Sequence, residues 1–129
     1  MMKNVILGAF LVAALWLVAS VPAYAADGST LRVVAVETAN PQAYAEQIKK
    51  GKAIIAKVDP KFTLRAWQAT FAGERTGAIA VAVEYPGDFA AFATAWTRLM
   101  SDKAVSEWLG GLSGLRTITS DSLYQEIGL

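Results

Sequence analysis

The hydrophobic pattern changes period several times along this chain. Residues 31–38, LRVVAVET, are β-branched and apolar at nearly every position, which predicts a central strand covered on both sides. Asn40 and Pro41 then supply an N-cap and a first-turn proline. Tyr44, Ile48, Ile55 and Val58 recur at helical spacing, with Glu46, Gln47 and the lysines 49, 50 and 52 on the other side. Gly51 weakens this helix, and the Asp59-Pro60 pair ends it.

Two strand-like runs follow, 62–72 and 78–85, joined by the polar island GERTG. The glycine-flanked connection predicts a hairpin whose tip residues, Glu74 and Arg75, are solvated. Setting Ile79, Val81 and Val83 opposite Phe71, Ala69 and Trp67 collects the large apolar groups on one face. Ala80, Ala82 and Glu84 then share the other face with Thr70, Gln68 and Ala66. Pro86-Gly87 breaks the strand and Asp88 caps a helix carrying Phe89, Phe92, Ala93, Trp96, Leu99 and Met100 as an apolar stripe. Ser101 opens a second helical piece that the glycine-rich stretch 110–114 terminates. Because that stretch leaves a helix and enters a strand, it is not a phosphate loop. Residues 115–127 close the chain with a strand of polar alternation and a short tail.

The order is β-α-β-β-α-β, the split-βαβ or ferredoxin-like pattern of an α+β domain with a four-stranded antiparallel sheet. Ahead of it, MMKN, the apolar run of residues 5–18, and small residues at Ala23 and Ala25 follow the order of a secretory signal peptide. The run is shorter than the roughly 20 residues of a spanning helix. Residues 1–25 are therefore expected to be cleaved, sending residues 26–129 to the periplasm or outside the cell as one domain without a membrane anchor.

Composition narrows the chemistry. The chain has 12 Lys and Arg against 11 Asp and Glu, and setting Lys3 aside with the leader brings the remainder to zero net charge. Such a chain lacks the basic surplus of a nucleic-acid binder. It contains no cysteine and no histidine. That excludes Ser-His-Asp and Cys-His nucleophiles, thiolate or imidazole zinc sites and a histidine haem ligand. The expectation is therefore a protein without metal or cofactor.

The segment AIAVAVEYPGDFAAFATAW running into LMSDKAVSEWL resembles the dimeric α/β-barrel superfamily, and within it small NIPSNAP-like and antibiotic-biosynthesis-monooxygenase-like modules. Glu84 and Tyr85 at the end of the third strand carry the resemblance, with the aromatic-rich helix and Ser101, Asp102, Glu107 and Trp108. It implies a homodimer in which the uncovered faces of two sheets close a barrel. The apolar first strand argues independently for such a partner, since helices on one side leave valine and alanine in water.

If the first and third strands lie side by side and parallel, Glu37 and Glu84 approach one another as a candidate proton shuttle. Arg65, Gln68 and Thr70 are expected at the same end, and Trp67, Trp96 and Tyr85 are candidates for holding an aromatic ligand. The plainer reading is a Glu84–Arg65 cross-strand pair and a solvated Glu37. Two functions stay open: a non-catalytic homodimer binding a small apolar ligand in a barrel or helix–sheet cleft, and a cofactor-independent monooxygenase- or isomerase-like enzyme using Glu84 for proton transfer. A purely structural partner-binding domain is a third.

Overall fold

The computed structural model describes residues 28–129; the expected leader, residues 1–25, lies outside them. Strand β1 (Ser29–Glu37) leads to helix α1 (Pro41–Val58), then β2 (Thr63–Gln68) and β3 (Ile79–Pro86). Helices α2 (Phe89–Met100) and α3 (Lys103–Ser113) follow, and β4 (Thr117–Gln125) completes a sheet of order β2-β3-β1-β4. Every neighbouring pair is antiparallel. This is the ferredoxin-like α+β arrangement. The sheet of one chain is open at both edges, so the expected barrel is not closed by a single chain.

Each helix begins where a short polar side chain takes an orphan amide. Asn40, Asp88 and Asp102 accept from the backbone N–H of Ala43, Ala91 and Val105, each at 3.0 Å. Caps of this kind contribute about 1 kcal/mol each. The third differs from the Ser101 cap expected from sequence, because Ser101 still belongs to the end of α2, where its N–H reaches Thr97 and Arg98 carbonyls. Helix α3 also runs through Gly110 and Gly111, which were expected to stop it. Leu112 is fully buried one position later, and that packing outweighs the propensity cost.

The helices cover one face of the sheet. Val34 and Val36 of β1, Leu64 of β2, and Ile79, Val81 and Val83 of β3 point toward them and are buried. Tyr44, Ile48 and Ile55 of α1, Phe92 and Leu99 of α2, and Val105 and Leu112 of α3 complete this core. No helix among the described residues is long and apolar enough to cross a membrane.

The hairpin register differs from the expected one by an odd number of residues, and an odd slip exchanges the two faces. Ile79 pairs with Gln68 and Ala80 with Trp67. Trp67 therefore projects to the helix-free face, and Leu64 takes the core position expected of it. The strand ends early because Thr70, Phe71 and Ala72 leave the sheet. Ala69 and the 77–78 pair close the loop with N–H···O bonds of 2.8 Å. Inside it, Gly73–Arg75 form a 3₁₀ turn, with Gly73 and Gly77 at φ of 58° and 93°. The Thr76 hydroxyl donates to the Gly73 carbonyl at 2.9 Å. GERTG is a turn, as expected, within a longer loop.

Gly51, expected only to weaken α1, is where α3 reaches it. The Trp108 indole N–H donates to the Gln47 carbonyl at 2.8 Å, and a methyl group added at Gly51 would overlap the ring. Gly51→Ala raises helix propensity by about 1 kcal/mol, yet the displaced ring outweighs it. We expect a net loss of about 1–3 kcal/mol, read from the urea midpoint. A stabilised variant would refute this contact.

Candidate functional site

Two regions of this fold can meet a ligand, one on each side of the sheet. On the helix side, a cavity of about 300 Å³ lies between α2, α3 and the strands. Its floor is Val34, Leu64, Val81 and Val83, and its roof is Leu99, Met100, Val105 and Leu112. Ile48 and Ile55 of α1 close one end. The indole rings of Trp96 and Trp108 form side walls. Ile118 of β4, a strand that the helices leave bare, also lines the cavity and is 49% exposed.

Only two lining residues are charged, Arg32 and Arg116. Arg32 donates through Nε and Nη2 to the two oxygens of Asp121, at 2.9 and 2.6 Å, and its guanidinium stacks over Trp96 at 4.7 Å. The hydrogen bonds from Arg32 hold the Asp121 carboxyl below its ordinary range; burial opposes them, and the charges of Arg32 and Arg116 assist. The Asp121 bond in turn raises the Arg32 guanidinium. Arg116 is half-buried and donates through Nη1 to the phenol oxygen of Tyr44 at 3.0 Å. Neither arginine was singled out from sequence. The signal was present for Arg32 alone, as a charge in the middle of an apolar strand.

The opposite face of the sheet carries Leu31, Val33 and Ala35 of β1 across from Glu84, Ala82 and Ala80 of β3. Trp67 of β2 and Tyr124 of β4 flank them, 52% and 56% exposed. Here the expected carboxylate pair needs correction. Strands β1 and β3 are antiparallel, not parallel, so Leu31 rather than Glu37 lies beside Glu84. Glu37 sits six residues further along, roughly 20 Å away. The neighbour of Glu84 is Glu126. The Ser29 hydroxyl reaches Oε2 of Glu84 at 3.1 Å and Oε1 of Glu126 at 3.2 Å, and its single proton serves one at a time. Arg65 approaches Glu84 at 3.8 Å while stacking on Trp67 at 5.4 Å. The cross-strand Glu84–Arg65 pair expected from the plainer reading is thus present.

The other expected ligand residues scatter. Trp96 lines the helix-side cavity. Gln68 lies on the helix side at the sheet edge, its amide donating to the Gly77 carbonyl at 3.5 Å, and Thr70 is exposed in the hairpin loop. Neither shares a face with Glu84, for the register reason given above. Tyr85 is buried and structural. Its hydroxyl donates to Asp59 Oδ2 at 2.7 Å, which also accepts from Arg98 Nη2 at 2.9 Å. Asp59 Oδ1 takes the Lys61 N–H at 3.0 Å. Pro60 biases Asp59 to the extended conformation that directs its carboxylate here. Among the described residues no cluster of acidic side chains could hold a metal.

An open antiparallel sheet, helices on one face and an apolar cavity between the layers define a ferredoxin-like chain with a ligand-sized interior. No protein-family model matches this chain, and no curated protein matches it in sequence. Solved structures do share its fold. A NIPSNAP family protein from Agrobacterium tumefaciens superposes with a TM-score of 0.60 at 14% identity, over 78% of this chain and 86% of that one. SnoaB, a cofactor-independent oxygenase from Streptomyces nogalater, gives 0.51 at 20% identity, over 77% and 92%. A hydroxynitrile lyase from Passiflora edulis gives 0.53 at 8% identity, over 80% and 95%. These likenesses establish the fold.

Burial alone would raise the Asp59 carboxyl, but hydrogen bonds from Tyr85, the Lys61 amide and Arg98 outweigh it and hold it below its ordinary range. Its contribution to stability is therefore present above the unfolded value, near pH 4, and is lost as pH falls through the lower folded value. Tyr85 is raised, chiefly by its bond to Asp59, so its contribution is lost only in strong alkali. Asp59→Asn should cost about 1–3 kcal/mol at neutral pH. Urea titrations should also show a shallower acid decline than in wild type, the residual slope belonging to Asp121. An unchanged slope would remove Asp59 from the account.

Proposed function

We propose that this protein is exported and binds a small, flat apolar molecule in the cavity between its helices and sheet, as a homodimer paired through its helix-free faces. The cavity carries this reading. Its volume of about 300 Å³ is at the lower end for ligand pockets, and about twice the roughly 150 Å³ that admits benzene. The apolar lining, with Trp96 and Trp108 among it, suits an aromatic guest. The dimer reading is supported by the open face, where exposed Trp67 and Tyr124 flank Val33, Ala35 and Ala80, and which two copies would remove from water together. Export rests on the leader-like residues 1–25 alone.

Quenching of tryptophan fluorescence by 2-naphthamide, a neutral two-ring probe, tests the cavity. Wild-type protein should bind saturably, and Val83→Phe, which fills the floor, should abolish binding while the far-UV spectrum is kept. Equal binding by both would defeat the reading. Sedimentation equilibrium tests the pairing: the wild type should be dimeric, and Val33→Arg, half-buried on the open face, monomeric and folded. A monomeric wild type would end the barrel interpretation.

A second reading has one observation in its favour, the two carboxylates bracketing Ser29. In a closed dimer Glu84 would face the barrel interior, where a carboxylate can transfer a proton to or from a substrate. Glu84→Gln would then remove turnover of an identified substrate and leave naphthamide binding intact.

A further inference from the structure

The helix-side cavity is apolar except at its mouth, and the charges there do not balance. Arg32 is neutralised: Asp121 occupies two of its donors in a fork, and the ring of Trp96 covers its face. Arg116 is not. Of its five N–H donors, the one to Tyr44 meets a side-chain acceptor among the described residues, and that acceptor is a neutral phenol. No carboxylate lies within ion-pair distance of it among those residues.

Tyr44 itself is fully buried beneath α1, so its oxygen is a fixed point that orients the guanidinium along the cavity edge. A half-buried cation held in place and paired with no carboxylate among the described residues, at the rim of an otherwise greasy chamber, is complementary to one negative charge on an apolar body. We infer that the guest of this cavity is an organic monoanion, an aromatic carboxylate whose rings lie against the branched side chains of floor and roof and whose carboxylate meets Arg116. This rests on the cavity reading above and specifies its ligand class. Asp121 works against it: its charge offsets Arg32 and sets the mouth at one net positive charge instead of two.

The matched probes are 2-naphthoate and 2-naphthamide, equal in shape and different by one charge. Wild-type protein should bind the carboxylate roughly tenfold more tightly. Arg116→Met should bring the two within about twofold by weakening the carboxylate only, and Arg116→Lys should restore part of the gap, since it keeps the charge without the fork. Asp121→Asn provides a second route should Arg116→Met fail to fold, because it adds net positive charge and should widen the carboxylate preference. Wild-type protein that binds both probes equally overturns the charge inference and leaves the apolar cavity standing. A preference that neither Arg116→Met nor Asp121→Asn alters also overturns it. Failure of both probes to bind defeats the cavity and the inference together.

Discussion

A sheet has two faces, and this chain supplies helices for one. Everything else in the molecule is arranged by that shortage. The covered face collects the branched side chains of β1 and β3, because helices α1, α2 and α3 can seal them from water. The bare face is kept shallow, with Ala35, Ala80 and Ala82 at its centre and charged groups at the ends.

The same shortage shapes the interior. Three helices cannot span four strands, so β4 lies outside the roof and the layer between α2, α3 and β1 is left gaping on that side. Trp96 and Trp108 border this space, and the valines Val34, Val81 and Val83 line it from the sheet. The result is a chamber with an apolar body and a charged lip. Arg32 crosses the lip and is fastened at both ends, by Asp121 and by Trp96. The fourth strand thus forms one edge of the sheet and also supplies the group that tethers Arg32.

Much of the fold was legible because its signals are local. Asn40-Pro41, Asp59-Pro60 and Asp88 mark helix ends through cap and ring sterics that need no tertiary partner, and the structure puts α1 and α2 between them. The split-βαβ order followed from counting elements. The hairpin register was not legible, since Trp67 and Leu64 both look like core residues. Only one helix-facing position on the edge strand is deeply buried, and it is Leu64. The carboxylate pair failed for a different reason. In this topology β1 and β3 are central neighbours but run in opposite directions, and strand direction decides which ends meet. Glu126, the residue that does approach Glu84, lies just past β4 and carries no sequence mark of its own. The cavity lip is hidden likewise: Arg32 is far in the chain from Arg116 and Asp121, and they converge only once β4 has paired with β1.

Helices α1 and α3 approach each other through an absence, the missing side chain at Gly51, into which the Trp108 ring is set. Neither position is free to vary alone. A larger residue at 51 requires a smaller one at 108, and a smaller one at 108 takes away a wall of the chamber. The permitted sequences of a helix interior and of a cavity wall are thereby coupled, so drift in the chamber's lining would first have to pass through the seam between two helices.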